Sequence, residues 1–589
     1  METFQAQLAQ KLAVALAAAD LPPAGEISAA TDARFGDYQT NAALILAKQR
    51  GENPRALAQT IIEHLAVADI SETPTVAGAG FINFTLRPAA LEQKTSALLQ
   101  DERLGVALTN SPKKIVIDFG SPNVAKPMHI GHIRSTVLGD ALARIAQFLG
   151  HDVVRDNHIG DWGKQFGMLI VGWRHFVQLL GKEPTTIGEL VRIYRMVFSQ
   201  QWDEFAEEAG DTGSILSGSL PIEKQISQAV VSLQAKEPEE LEIWNKCVAI
   251  SMREFARTYD LLGIRYDIQR GESFYNDRLA GIVDRLLAAG IAQPSEGAIV
   301  VFFPDIAELA DKPCLIRKSD GGYNYATSDL ATVDYRVHDL HADVVWYVVG
   351  APQILHFKQI FAIARREGFT TDFRHITFGS ILGDDRKLMK TRSGENVLLQ
   401  DVLDEAIVRA RQAIAEKNPE MPEAEIAEVA RIIGIGAIKY ADLSQYRMTD
   451  YIFSWDRMLA LQGNTAPYLQ NAYVRIQSIF RKSATDSSEG RASARPQQIS
   501  LGEPAERNLA KRLAQFAEIV PTVLNDFRPN VLANYLFELA NNFHAFYEAC
   551  PVLKSEEPAR SSRLALCQLT ARTLQLGLNL LGIQVPQRM

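Results

Sequence analysis

His129 and His132 stand three residues apart in the stretch SPNVAKPMHIGHIRST (121–136), between an apolar run and an amphipathic one. Imidazoles at that spacing share one helical face, and each can donate a hydrogen bond to a phosphate oxygen. A helix start adds unpaired backbone N–H groups and the positive end of the helix dipole. Gly131 has no side chain, so a flat base could approach the main chain there. Lys126 adds a mobile cation a few residues upstream. The chemistry open to this group is to hold a nucleotide's phosphates and to stabilise charge as a phosphorus centre reacts. A bare H-x-G-H match would fit an ordinary helix start equally well. The Lys126-Pro127 lead-in, the strand before it and the helix behind it decide for the nucleotide.

Those side chains need a scaffold. KIVIDF (114–119) is a short apolar run of the kind found in a buried parallel strand. Past the loop, Ile133, Val137, Leu138, Ala141, Leu142, Ile145 and Leu149 recur at helical spacing, with Gly150 where a helix C-cap belongs. VVRDNH (153–158) reads as the next strand, which completes a βαβ unit. A second unit follows: strand DVVWYVV (343–349), a loop, a helix from Ile354 to Arg366, and a strand ITFGSIL (376–382). Between the two units, roughly 170–300, helical patterning predicts an insertion that splits the sheet. Residues 1–108 open with Leu8, Leu12 and Leu16 on one helical face, and GAGFINFTL (78–86) reads as a turn entering a strand. From about 401 to 589 helical periodicity dominates, apart from a Ser-, Gly- and Pro-rich stretch at 483–504 that reads as a mobile loop. The expected fold is α/β: a Rossmann-like nucleotide-binding parallel sheet with an insertion at 109–400, an N-terminal α/β domain at 1–108 and a C-terminal all-α helical bundle at 401–589.

Composition narrows the function. A chain of 589 residues, 47% apolar and 22% charged, is an ordinary multidomain globular protein. No apolar run approaches the roughly 18 residues of a membrane helix, and METFQAQLAQK lacks the pattern of a signal peptide. The four cysteines, Cys247, Cys314, Cys550 and Cys567, make no C-x-x-C pair and no zinc pattern, which suits a reducing cytosol. There is no G-x-x-x-x-G-K-[ST] and no G-x-G-x-x-G after a strand, which excludes a P-loop ATPase and disfavours a dinucleotide dehydrogenase. The net charge is −9, yet residues 451–589 carry 15 basic and 11 acidic side chains, so the tail is mildly basic on an acidic protein.

The H-I-G-H tetrad at 129–132 resembles a signature of class I aminoacyl-tRNA synthetases. SPNVAKPMHIGH, NHIGDWGKQFG (157–167), YATSDLATVDYR (325–336) and QILHFKQIF (353–361) closely resemble the arginyl-tRNA synthetase family. DYQTN (37–41) and GFINF (80–84) resemble that family's N-terminal tRNA-binding domain, and QGNTAPYLQNAYVRI (462–476) with the terminal PQRM its anticodon-binding domain. The likeness runs from end to end. Two departures stand out. The second class I signature, K-M-S-K, is replaced by DDRKLMKTRSG (384–394), in which Lys390 is the counterpart, with Lys387 and Arg392 as alternatives. GAGF (78–81) also replaces the usual G-P-G-F.

The resemblance implies a ligase that activates L-arginine with ATP and its Mg²⁺, without zinc, and esterifies it onto tRNA(Arg). It also implies a cytoplasmic monomer without membrane contact, and tRNA bound before activation is efficient. Catalysis falls to Lys126, His129, His132 and Lys390, which with Gly131 also bind ATP. Arginine's guanidinium is a planar charged fork that needs carboxylates in its plane and further acceptors. The resemblance places arginine contacts at Asp118, Asn123, Tyr325, Asp329 and Gln353. Asp118 and Asn123 belong at the α-amino and carboxylate end, and Asp329, Tyr325 and Gln353 face the side chain. In open α/β sheets ligands collect beyond the strands' carboxyl ends, where these residues are expected. Tyr468, Tyr473 and Arg475, with Arg481 and Lys482 nearby, mix aromatics and cations as an unstacked anticodon requires.

Overall fold

The computed structural model of the chain describes residues 1–30, 32–199, 221–383, 385–389, 397–486 and 498–589. The chain divides into two compact units: Met1–Thr109 with Ala413–Ser444 and Arg457–Met589, and Asn110–Gln412 with Gln445–Asp456.

The second unit is built on a five-stranded sheet. Its strands are β1 (Lys114–Phe119), β2 (Asp152–Ile159), β3 (Ile268–Gly271), β4 (Val344–Val348) and β5 (Asp372–His375), in the order β5-β4-β1-β2-β3. Every neighbouring pair is parallel. β1 and β4 are buried over almost their whole length, as expected of central strands with both faces covered. Helix α1 (His132–Phe148) makes the β1–β2 crossover, and Gly150, at φ +94°, turns the chain back into β2. Helices α2 (Tyr325–His338) and α3 (Ile354–Arg366) flank β4. Leu330, Val333, Val345, Ile360 and Ile363 share one buried core with Val116 of β1.

Two differences from the sequence reading concern edge strands. The stretch 170–300 is not one insertion, because β3 lies inside it. Among the described residues the segment between β2 and β3 holds the helices Lys164–Leu180, Ile187–Ser199, Ile222–Gln234 and Pro238–Leu262, packed around Phe166, Trp173, Leu190 and Cys247. A separate antiparallel sheet, Gln293–Ser295, Ala298–Val301 and Cys314–Arg317, follows β3. The last parallel strand is Asp372–His375 rather than 376–382, and Ile381–Leu382 pairs instead with Tyr451–Ile452. Both β3 (IQRG) and β5 (DFRH) are short, polar and only partly buried, so they carry no apolar run to betray them.

In the first unit an antiparallel sheet runs Ile27–Ala29, Tyr38–Thr40, Phe81–Phe84, Thr75–Ala77. The helix Phe4–Ala18 buries Leu8, Leu12 and Leu16. The C-terminal segments are helical, and Lys511 reaches Asp37 at 2.6 Å while the Tyr38 hydroxyl donates to the Glu518 carboxylate at 3.0 Å. Residues 1–109 thus pack with the C-terminal helices as one unit, where the sequence separates them at 108 and 401. The expected loop at 483–504 lies partly outside the described residues. No described helix is long and apolar enough to cross a membrane. All four cysteines are free and buried.

Candidate active site

The loop after β1 is fixed by main-chain bonds. Gly160 N–H donates to Pro122 O at 3.1 Å and Val124 N–H to Gly160 O at 2.9 Å, which stitches the loop to the end of β2. Ile130 N–H donates to Val397 O at 2.9 Å and Leu399 N–H to Met128 O at 2.8 Å. The residues just after the second-signature region are therefore zipped to the histidine loop. Lys390 and Arg392 lie outside the described residues.

The two imidazoles pack with centroids 4.0 Å apart, at the start of α1. Gly131 N–H donates to His129 Nδ1 at 3.1 Å, and His129 N–H to His132 Nδ1 at 3.1 Å. His132 Nδ1 also lies 3.2 Å from the His129 carbonyl. We assign the acceptor role from the shorter contact, so each neutral ring carries its proton on Nε2, the nitrogen left for a ligand. Burial lowers the pKa of His129; burial, reinforced by His129, lowers that of His132 to about 4. At neutral pH His132 is a neutral donor rather than a cation. Gly131 serves this arrangement directly, since a Cβ there would sit 2.8 Å from His129 Cε1.

The acids at the same edge of the sheet are already engaged. Tyr347, Asp118 and Asp156 are register partners across β4, β1 and β2. Arg336 of α2, fully buried, lies across that row. Its Nη2 donates to Asp118 Oδ2 and to Asp156 Oδ2 at 2.7 Å each, and its guanidinium carbon is 5.0 Å from the Tyr347 ring centre. Ser121 Oγ donates to Asp118 Oδ1 at 2.9 Å. Asp118 is thus held by an ion pair at the edge of the site. A carboxylate buried at a strand end has to be neutralised, and Arg336 does so from 218 residues away. What Asp118 retains for a ligand is lone-pair capacity on Oδ1.

Asp329, one turn into α2, is half-buried, and its Oδ2 is bonded by His356 Nε2 from α3. Glu272 follows β3 immediately, and its pKa is raised to about 8 by burial, then by the nearby charges of Asp329 and Asp161. Asp161 lies past the end of β2; burial raises its pKa, against hydrogen bonds from Ser273 N–H at 2.9 Å and Oγ at 2.6 Å. It lies where a Cβ on Gly271 would fall 2.0 Å from its carboxyl carbon. Three carboxyl groups therefore crowd one edge, a field suited to a ligand cation. Glu272, Asp161 and His356 escaped the sequence reading. For Glu272 the sequence carries no signal, because the strand before it has no apolar run. For His356 the signal was the i, i+3 spacing from Gln353.

The remaining residues are spread around this edge. Asn123 is exposed, with its side chain against Gly160. Tyr325 is 73% exposed at the first turn of α2, and Gln353 is exposed at the N-cap of α3. Lys126 is exposed, and its ammonium rests 5.7 Å from the Tyr194 ring centre. In the other unit, the Tyr468 hydroxyl donates to Asn541 Oδ1 at 2.7 Å and Arg475 is exposed with its guanidinium over Tyr547. Tyr473 corrects the expectation: it is 4% exposed, a core residue with no face for a base. Among the described residues no cluster of three His, Cys, Asp or Glu is placed to hold a metal.

Comparison with known proteins agrees along the whole chain. A profile described as "tRNA synthetases class I (R), catalytic domain" matches residues 93–455. "Arginyl tRNA synthetase N terminal domain" matches 3–86 and "DALR anticodon binding domain" 469–589. A protein of Synechococcus named arginine–tRNA ligase is 45% identical, covering 100% of this chain and 98% of its own. One of Chromobacterium violaceum with the same name is 42% identical, covering 100% of both. The crystal structure of arginyl-tRNA synthetase from Plasmodium falciparum superposes with a TM-score of 0.83 at 28% identity, and that of Thermus thermophilus with 0.80 at 27%, each over 100% of both chains.

Proposed function

The chain belongs to the class I arginyl-tRNA synthetase family, and on that premise we propose how its residues attach L-arginine to tRNA(Arg) at the expense of ATP. Arginine's carboxylate attacks the α-phosphorus of ATP and pyrophosphate leaves; a terminal ribose hydroxyl of the tRNA then attacks the carbonyl of the arginyl adenylate and AMP leaves. The carboxylate is ionised at neutral pH and needs no general base, so the site contributes position and charge stabilisation. The Nε2–H groups of His129 and His132 donate to the phosphate oxygens. Lys126, leaving Tyr194, and Lys390 bring positive charge, while Gly131 keeps the main chain open to the nucleotide. Mg²⁺ arrives with the ATP phosphates.

Asp329 and Glu272 receive the guanidinium fork, with Tyr325 and Gln353 beside them. Asn123 and the lone-pair capacity that Ser121 leaves on Asp118 Oδ1 take the α-amino end. Tyr468 and Arg475 contact the anticodon. The enzyme works as a cytoplasmic monomer of three sequence regions: a tRNA-binding N-terminal part, a central catalytic part and a helical anticodon-binding part. The observation that carries this reading is the pairing of two neutral imidazole donors with an acidic cluster, both beyond the carboxyl ends of one parallel sheet. The test is arginine-dependent exchange of pyrophosphate into ATP, with and without tRNA(Arg). Exchange driven by another amino acid, or by none, would overturn it.

A further inference from the structure

The loop between β1 and α1 is anchored on either side of Lys126. Before it, Ser121 N–H donates to Asn157 Oδ1 at 3.1 Å and Val124 N–H to Gly160 O at 2.9 Å, at the end of β2. After it, Met128 and Ile130 are tied to Leu399 and Val397. Between these seams Ala125 is buried and takes φ +60°, a left-handed conformation that a residue with a Cβ disfavours. Its N–H donates to Ser251 Oγ at 2.9 Å. Ser251 belongs to the helix Pro238–Leu262 and is fully buried, on the face that carries Cys247 and Phe255. Its hydroxyl proton goes to Cys247 O, one turn back, at 2.9 Å, which leaves the oxygen's lone pairs for the loop.

The helix's own needs do not explain that hydroxyl, because alanine is the better helix former and would bury no polar group. What alanine could not do is accept the Ala125 N–H, which would then be buried and unpaired. Turning the peptide before Ala125 toward water would satisfy that N–H and release the left-handed turn together. Both gains push the chain one way, and the residue carried along is the next one, Lys126. Asn123 and Val124 stay in place, bridged to Gly160, and Met128 and Ile130 stay tied to their own partners. We propose that Ser251 is a positioning residue for Lys126: by accepting the Ala125 N–H it keeps the turn from which the ammonium reaches the phosphates beside His129. The inference rests on the aminoacylation reading and adds to it a buried residue that touches no substrate.

With tRNA(Arg) present, Ser251→Ala should lower kcat for arginine-dependent pyrophosphate exchange about tenfold, with KM for arginine and for ATP within about twofold. In a Lys126→Ala background the same substitution should cost less than about twofold, since no lysine is left to aim. Ala125→Gly should recover most of the rate lost in Ser251→Ala, because glycine holds a left-handed turn unaided. Ser251→Cys, close in volume but a weak acceptor, should lower kcat about threefold, and it carries the test if alanine impairs folding. An unchanged kcat in Ser251→Ala and Ser251→Cys would overturn the proposal. So would a full loss repeated in the Lys126→Ala background, a KM for arginine that rises as kcat falls, no recovery with Ala125→Gly, or an unchanged kcat in Lys126→Ala alone. Failure of the aminoacylation reading would appear separately, as absent arginine-dependent exchange in the unaltered protein.

Discussion

The histidine end and the acidic end of the site are built by opposite means. The rings of His129 and His132 are oriented by N–H groups of their own short loop, and distant main chain only anchors that loop. The acids are oriented by partners from distant parts of the chain: Asp118 by Arg336, Asp329 by His356, Asp161 by Ser273. A group set by local main chain appears in sequence as a motif. A group set by the tertiary fold appears as an isolated charged residue. The two ends should therefore respond differently to substitution, the acidic end through the fold and the histidine end through chemistry alone.

Arg336→Leu tests that contrast most severely. It leaves Asp118 and Asp156 buried without their counter-charge, and should cost about 3–5 kcal/mol in a urea denaturation. A change below about 1 kcal/mol would show that the acidic end does not depend on its distant partner. Lys126→Ala should leave folding unchanged but lower kcat by about 100-fold, or about 2.7 kcal/mol, with little change in KM for ATP; an unchanged kcat would remove Lys126 from the transition state. Asp329→Asn should raise KM for arginine about 30-fold, near 2 kcal/mol, while KM for ATP stays within about twofold. Equal effects on both ligands would make Asp329 structural.

The pH dependence of the two ends should differ as well. Glu272 is protonated below about pH 8 when no ligand is bound, and a guanidinium favours its ionised form. Arginine affinity should rise about tenfold between roughly pH 6.5 and 8, and Glu272→Gln should flatten that rise in a calorimetric titration. For the folded protein alone the sign is reversed. A raised carboxyl pKa stabilises the fold below the ordinary carboxylate range and loses that contribution as pH climbs to about 8. The histidine end should show the smallest effect. With His132 near 4, its titration should add no limb to KM for ATP between about pH 6 and 8. A limb near 6.5 that disappears in His132→Asn would contradict the neutral-donor assignment.

Legibility followed the same division. β1 and α3 lie at the residues their apolar periodicity predicts, because buried central elements write their period into the sequence. β3 and β5 were missed or misplaced because edge strands of four residues need no such period. The consequence reached the site, since Glu272 is visible as a candidate only once β3 is known to end beside it. Asp118 was named from the sequence without its partner, because nothing around it signals that residue 336 closes over it. Tyr473 was misread for the reason aromatic residues in bundles usually are: helical spacing alone does not say which face turns inward.

The zipper between Met128–Ile130 and Val397–Leu399 uses only main-chain atoms. Such a tie is indifferent to the side chains it carries, so the neighbouring signature can exchange its residues without loosening the joint. That freedom stops at proline: at Ile130 or Leu399 it would delete a donor and part the seam. The fold thus guards where this stretch is anchored and leaves open what it is spelled with.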